Sequence, residues 1–173
     1  MANWTMLTLV GTDQPGIVAK LTQALYQAGC NLGEASMMRL GGNFTIMLMV
    51  SLEGDSDKLR DVIQPISDSL NLHYHIDAIE AQLHQHLEPD VRISVYGADR
   101  PGIVSDVTAS LADAGLHILD LESDVAGSEA EPIYIMHIEG HAGKGVDALK
   151  TAVEKIKSQG IDVSLSEIDT LLG

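Results

Sequence analysis

The amino-acid sequence predicts an α+β protein built from two ferredoxin-like βαββαβ modules, each a four-stranded antiparallel sheet with two helices on one face. Three observations predict it. First, the chain repeats itself: Leu9–Leu32 returns at Val95–Ile118, 86 positions later and without a gap. Ten of these 24 pairs are identical, where average composition gives roughly one or two by chance. Second, each copy reads in the order strand, helix, strand, strand, helix, strand. Third, both copies carry a glycine- and proline-bearing turn, GTDQPG and GADRPG, between the first strand and the first helix. The period is that of a small domain rather than of a solenoid unit.

The elements follow from periodicity. Thr5, Leu7 and Leu9 alternate with Trp4, Met6 and Thr8, a strand pattern that Val91, Ile93 and Val95 repeat. Pro15 and Pro101 suit the first turn of a helix, where a missing N–H costs nothing. Val18, Leu21, Leu25 and Ala28, like Val104, Val107, Leu111 and Ala114, form a helical stripe, and Gly29 and Gly115 end it as C-terminal caps. Gly41-Gly42-Asn43 predicts a tight hairpin in the first copy. The second copy is expected to lengthen this connection into a solvated acidic loop over Ala126–Pro132. Leu59, Val62, Ile63, Ile66 and Leu70 mark one second helix, and Val146, Leu149, Val153 and Ile156 the other. Leu72, Tyr74 and Ile76, and Ile161, Val163 and Leu165, mark the last strands. The expected domains are residues 1–83 and 90–173, joined by a linker over 84–89.

Composition narrows the function. The chain has 173 residues and a net charge of −15, and its ten basic residues are nowhere clustered. No cationic stripe exists for a phosphate backbone, which argues against direct DNA or RNA binding and against an anionic membrane surface. Aromatic residues make up only 3%, so the cores must be aliphatic, and cores this small gain from docking on each other or in a homo-oligomer. Cys30 is the single cysteine, which excludes an internal disulfide and zinc-finger spacing; a buried inert thiol is expected. No signal-peptide pattern opens the sequence and no apolar run is long enough to span a bilayer, so a reduced cytoplasmic location is expected.

The two turns carry the chemistry. A glycine-bearing turn entering a helix offers backbone N–H groups and the positive end of the helix dipole, which suit a small carboxylate. Asp13 and Asp99 fit two roles there, meeting an ammonium group or capping the exposed helix amides.

The pattern strand–G-x-D-x-P-G-I-V, continued through L-x-x-A-G at the helix end, resembles the ACT domain family, a small-molecule regulatory module. The resemblance covers both copies through the first strand, turn, helix and start of the second strand. It implies amino-acid sensing, with ligand held between the turn of one module and the strands of a paired one. The implied ligand positions are Gly11, Thr12, Asp13, Gln14, Pro15, Gly16 and Ile17, with Asn31 opening the second strand. In the second copy they are Gly97, Ala98, Asp99, Arg100, Pro101, Gly102 and Ile103, with His117 in place of Asn31. Gln14 against Arg100 and Asn31 against His117 make the two sites unequal. Copy one is the better match, because an amide serves both ends of a zwitterion; Arg100 is the stronger carboxylate partner.

As a whole chain, two such domains and nothing else resemble the bacterial co-regulators of glycine cleavage. That implies a glycine-responsive protein without DNA contacts of its own, acting through a DNA-binding activator. A sensor that regulates a metabolic enzyme is the alternative in the same class. A small ferredoxin-like enzyme such as an acylphosphatase is the alternative in another, with Arg100 as its sole anion-binding candidate. No G-x-S-x-G elbow or phosphate-binding loop occurs and Cys30 has no positioned base, so no catalytic residue, cofactor or metal is expected. His73/His75 and His84/His86 repeat a His-x-His spacing, for which surface histidines are the default and a metal pair the sharper reading. Met37, Met38, Met47 and Met49 on the central hairpin are expected to pack adaptably under the helices or at a module interface.

Overall fold

The first strand of the computed structural model begins at Trp4, and residues 4–52, 56–79, 87–98, 101–128 and 131–168 are described. The first unit contains β1 (Trp4–Thr12), α1 (Ile17–Gln27), β2 (Asn31–Leu40), β3 (Asn43–Ser51), α2 (Ser56–Leu70) and β4 (Leu72–Ala78). The second contains β5 (Val91–Ala98), α3 (Ile103–Asp113), β6 (Leu116–Ser128), β7 (Glu131–Ala142), α4 (Val146–Ser158) and β8 (Asp162–Glu167). The chain divides into units Met1–Gln85 and His86–Gly173. Half of the expected linker, residues 84–86 with His84 and His86, lies outside the described residues.

Both sheets are antiparallel, with orders β2-β3-β1-β4 and β6-β7-β5-β8. This is the βαββαβ topology, in which the first strand lies beside both the third and the fourth. One face of each sheet is covered by its two helices. In the first unit Leu7, Leu9, Phe44, Ile46, Leu48 and Val50 from the strands meet Ile17, Leu21, Leu25, Leu59, Ile63 and Leu70 from the helices. In the second unit Val91, Ile93, Val95, Met136 and Ile138 meet Ile103, Val107, Leu111, Leu149, Val153 and Ile156. Alternation in the strands and a stripe in the helices thus point at one aliphatic layer.

Local details correct four expectations. The helices start at Ile17 and Ile103, after Pro15-Gly16 and Pro101-Gly102, so the prolines sit in the preceding turn and not in the helix. Gly16 has φ 88° and ψ 2°, the geometry of the third residue of a type II turn, which excludes most side chains and favours proline just before it. The buried stripe consequently runs Ile17, Leu21, Leu25, and Val18 lies on its exposed flank. The acidic Ala126–Pro132 segment is not an open loop: β6 and β7 pair as far as Ser128 and Glu131, with only 129–130 outside the described residues. Finally, none of the four hairpin methionines joins the helix-covered core. Met49 is buried on the opposite face beside Trp4 and Gly33, while Met37, Met38 and Met47 are exposed.

Other expectations stand as drawn. Leu40 and Asn43 pair across a two-residue turn with Gly41 and Gly42 at φ 56° and 77°. At the end of α1, Cys30 N–H donates to the Leu25 carbonyl and Gly29 N–H to that of Tyr26, both at 3.0 Å, a complete Schellman cap. Cys30, expected to be buried, is instead half-buried against the core, and that burial pushes its thiol pKa up.

Candidate functional site

The GTDQPG turn lies where β1 hands over to α1, and three contacts hold it. Gly11 sits in β1 against the corner between α2 and β4: a methyl group added there would lie 2.7 Å from Leu72 Cδ2 and 3.0 Å from the Asn71 carbonyl oxygen. That corner is itself closed by the Ser67 hydroxyl, which donates to the Leu72 carbonyl. Asp13 N–H donates to the Gly42 carbonyl at 3.0 Å, tying the turn to the β2–β3 hairpin. Gln14 Nε2 donates to the Leu70 carbonyl at 2.8 Å, satisfying one of the carbonyls left open at the end of α2. Gln14, expected as a ligand position, therefore has a structural partner.

Asp13 does not cap α1. Gly16 is the N-cap residue, no side chain caps the helix, and the Gly16 carbonyl receives the Lys20 N–H at 3.0 Å. The Asp13 carboxylate instead lies 2.5 Å from the Arg39 guanidinium at the end of β2. The Arg39 side chain is 70% exposed, that of Asp13 only 22%, so the acid is fixed in the turn and the base reaches in from solvent. Opposite charges stand side by side next to uncapped helix amides, which is the polarity of an α-amino acid zwitterion. Arg39 was not among the sequence candidates. Its signal was available: it is the one basic residue between Lys20 and Lys58 and stands two positions before the first hairpin glycine, Gly41.

Asn31 is not part of this arrangement within its own module. It pairs with Ser51, while Gly11 pairs with Phe44, seven residues away along β3. At ~3.3 Å per residue this is about 23 Å. His117 repeats the relationship: it pairs with His141, and Gly97 with Tyr134. Thr12, Pro15 and Gly16 are exposed in the turn, Ile17 is a core residue, and Asn31 and His117 are exposed at the far end of the sheet.

The second turn shares the backbone. Gly102 has φ 91°, its carbonyl accepts the Asp106 N–H at 2.8 Å, and Ile103 is buried. Asp99 and Arg100 lie outside the described residues, as does the side chain of Ala98. The surroundings differ in charge. Asp106 occupies the first turn of α3 where α1 has Lys20, and Val125, paired with Tyr134, stands where Arg39 pairs with Phe44. A carboxylate at the helix start is repelled by Asp106 and attracted by Lys20, which favours the first copy as the anion site. His73 and His75 are exposed on the sheet face away from the helices, with His75 Nε2 3.0 Å from Asp77. No group of three metal-ligating His, Cys, Asp or Glu side chains occurs among the described residues. No helix among them is long and apolar enough to cross a membrane.

Comparison with known proteins adds a family. A model described as "ACT domain" matches residues 5–77 and again 90–166. The chain is 26% identical over 149 residues to the glycine cleavage system transcriptional repressor of Escherichia coli K12, covering 84% of this chain and 78% of that one. The crystal structure of an unknown protein from Galdieria sulphuraria superposes with a TM-score of 0.76 at 24% identity, over 97% of this chain and 99% of the other. A candidate glycine cleavage system transcriptional repressor superposes with a TM-score of 0.72 at 20% identity, over 97% and 98%. The two structures share the fold of the whole tandem.

Proposed function

Because the chain belongs to the ACT domain family through both of its modules, we propose that it is an amino-acid-responsive regulatory protein whose first turn takes the ligand. Glycine is the first candidate. The bound state alters association with a DNA-binding protein partner in the control of glycine cleavage, and the chain itself does not read DNA. The observation that carries this reading is the Asp13–Arg39 pair beside the uncapped start of α1. In the liganded state Asp13 meets the ammonium group, while Arg39 and the α1 amides meet the carboxylate. Nothing in such a site demands a side chain on the ligand, and the likeness to the E. coli repressor supports glycine.

Regulation is linkage: a ligand that binds one conformation or association state more tightly shifts the population toward it, and the partner responds to that shift. Asn31 and the turn stand about 23 Å apart in one module, too far to share one small ligand there. Calorimetric titration with glycine and the other amino acids tests the reading. Saturable heat with glycine, lost in Asp13→Asn, is expected. No amino acid binding at millimolar concentration, with or without the candidate activator, would sink it.

A further inference from the structure

Each sheet has an edge strand, β2 in the first module and β6 in the second, and the two differ in their side chains. β6 heads its sheet, and from Leu119 to Ser128 every residue is exposed. No strand flanks its outer side among the described residues, so its outward N–H and C=O groups can pair with an added strand. Register divides its side chains cleanly. Leu121, Ser123 and Val125 pair with Ile138, Met136 and Tyr134, on the helix-covered face. Asp120, Glu122 and Asp124 pair with Glu139, His137 and Ile135, on the opposite face. Glu139 is bound by Arg92, whose Nε donates at 2.8 Å, and Asp124 accepts its neighbour Val125 N–H at 2.8 Å. The result is a strand with three carboxylates on one face and an apolar strip, Leu121 and Val125, on the other. The equivalent edge β2 has Ser36, Met38 and Leu40 in its outer row.

We propose that the edge of β6 is the docking surface for an extended protein segment that alternates cationic and aliphatic side chains, added as a further strand. This rests on the reading that the chain acts through a protein partner. The occupant follows from complementarity. Backbone pairing supplies affinity, and alternate side chains supply specificity. Lysine or arginine at every second position lies across from Asp120, Glu122 and Asp124, and aliphatic residues between them extend the row of Leu121 and Val125. A second copy of the same strand fits badly. Antiparallel self-pairing centred on Glu122 sets Glu122 against Glu122 and Asp120 against Asp124, and like charges directly opposite destabilise a sheet. The regular stretch from Asp120 to Ala126 spans about 20 Å at ~3.3 Å per residue, room for a segment of about seven residues.

The test uses the full chain and a fluorescein-labelled peptide alternating lysine and isoleucine, read by fluorescence anisotropy and by backbone amide shifts. Saturable binding that weakens with salt, with shifts centred on β6, is expected. It should fall at least tenfold with the triple variant Asp120→Asn/Glu122→Gln/Asp124→Asn, with glutamate in place of the peptide's lysines, and with N-methylation of alternate peptide amides. The N-methyl peptide keeps its charges and loses only its pairing edge, so equal binding by it would reduce the effect to nonspecific charge and overturn the proposal. Absence of peptide binding, shifts centred elsewhere, or a wild-type dimer joined through β6 would also overturn it. Glycine titration of the wild-type chain separates the two readings: glycine binding without peptide binding by that chain refutes the docking surface alone.

Discussion

The Arg39 guanidinium reaches across from the end of β2 to the Asp13 carboxylate in the β1–α1 turn, 2.5 Å away. With Arg39 largely exposed, the pair contributes at most about 1 kcal/mol to folding. The proposed function assigns it to binding. Asp13→Asn and Arg39→Ala should each leave the urea midpoint nearly unchanged while weakening glycine about tenfold or more, or ~1.4 kcal/mol. Parallel unfolding and calorimetric titrations check this; a variant that loses stability and affinity together assigns the pair to structure.

Gln14 behaves in the opposite sense. Its side chain closes the C-terminal end of α2 through Leu70, so Gln14→Ala should lower stability by about 0.5–1.5 kcal/mol. Glycine affinity should change less than in Asp13→Asn. The comparison tells whether the fourth position of the motif is a clamp on the fold or a contact to the ligand.

Two glycines in the turn are required for different physical reasons. At Gly16 nothing lies within 4 Å of an added methyl group, but φ is +88°, so Gly16→Ala should cost roughly 1–2 kcal/mol through backbone conformation. At Gly11 the obstacle is Leu72 and Asn71, and Gly11→Ala should cost about 1–3 kcal/mol through overpacking. Chemical denaturation of both variants measures these. Only Gly11→Ala should be partly rescued by Leu72→Ala.

Cys30 supplies a probe of the native state. Burial raises its pKa, which keeps the thiol neutral and slow to react with a disulfide reagent near pH 8. Unfolding restores the ordinary pKa, so the unfolded chain ionises first as pH rises. The raised value thus contributes stability that is present below the unfolded pKa and lost as pH climbs through the folded one. Reaction rates with and without denaturant should differ at least severalfold; equal rates would show that the thiol is open in the folded chain.

Much of the fold was legible because strand alternation, helical stripes and glycine caps are local signals. Leu7 and Leu9, Leu21 and Leu25, Val107 and Leu111 reach the cores their spacing implies. The prolines were displaced by a turn, because Pro15-Gly16 reads equally well as a helix start or a type II turn and only the φ of Gly16 decides. Asp13 as a cap was undone by a long-range pairing: Arg39 is 26 positions away in sequence, and hairpin register alone brings it in. The Ala126–Pro132 segment read as a loop from its composition, yet ladder pairing carries strand geometry through glycine, serine and proline. Asn31 was read by resemblance as a ligand position opening the second strand, and chain direction puts it at the opposite end of β2 from the turn of its own module.

That separation also bears on how such a duplicated chain diverges. Substitutions more than about 7–10 Å apart combine nearly additively, and the turn and the start of β2 stand well beyond that limit, with the Ile17, Leu21 and Leu25 stripe between them. Changes at one end are therefore free of epistasis from the other. Each copy can exchange glutamine for arginine in the turn, or asparagine for histidine on the strand, in either order and without refolding. A module with its two chemistries at opposite poles can drift in what it recognises while remaining the same solid body.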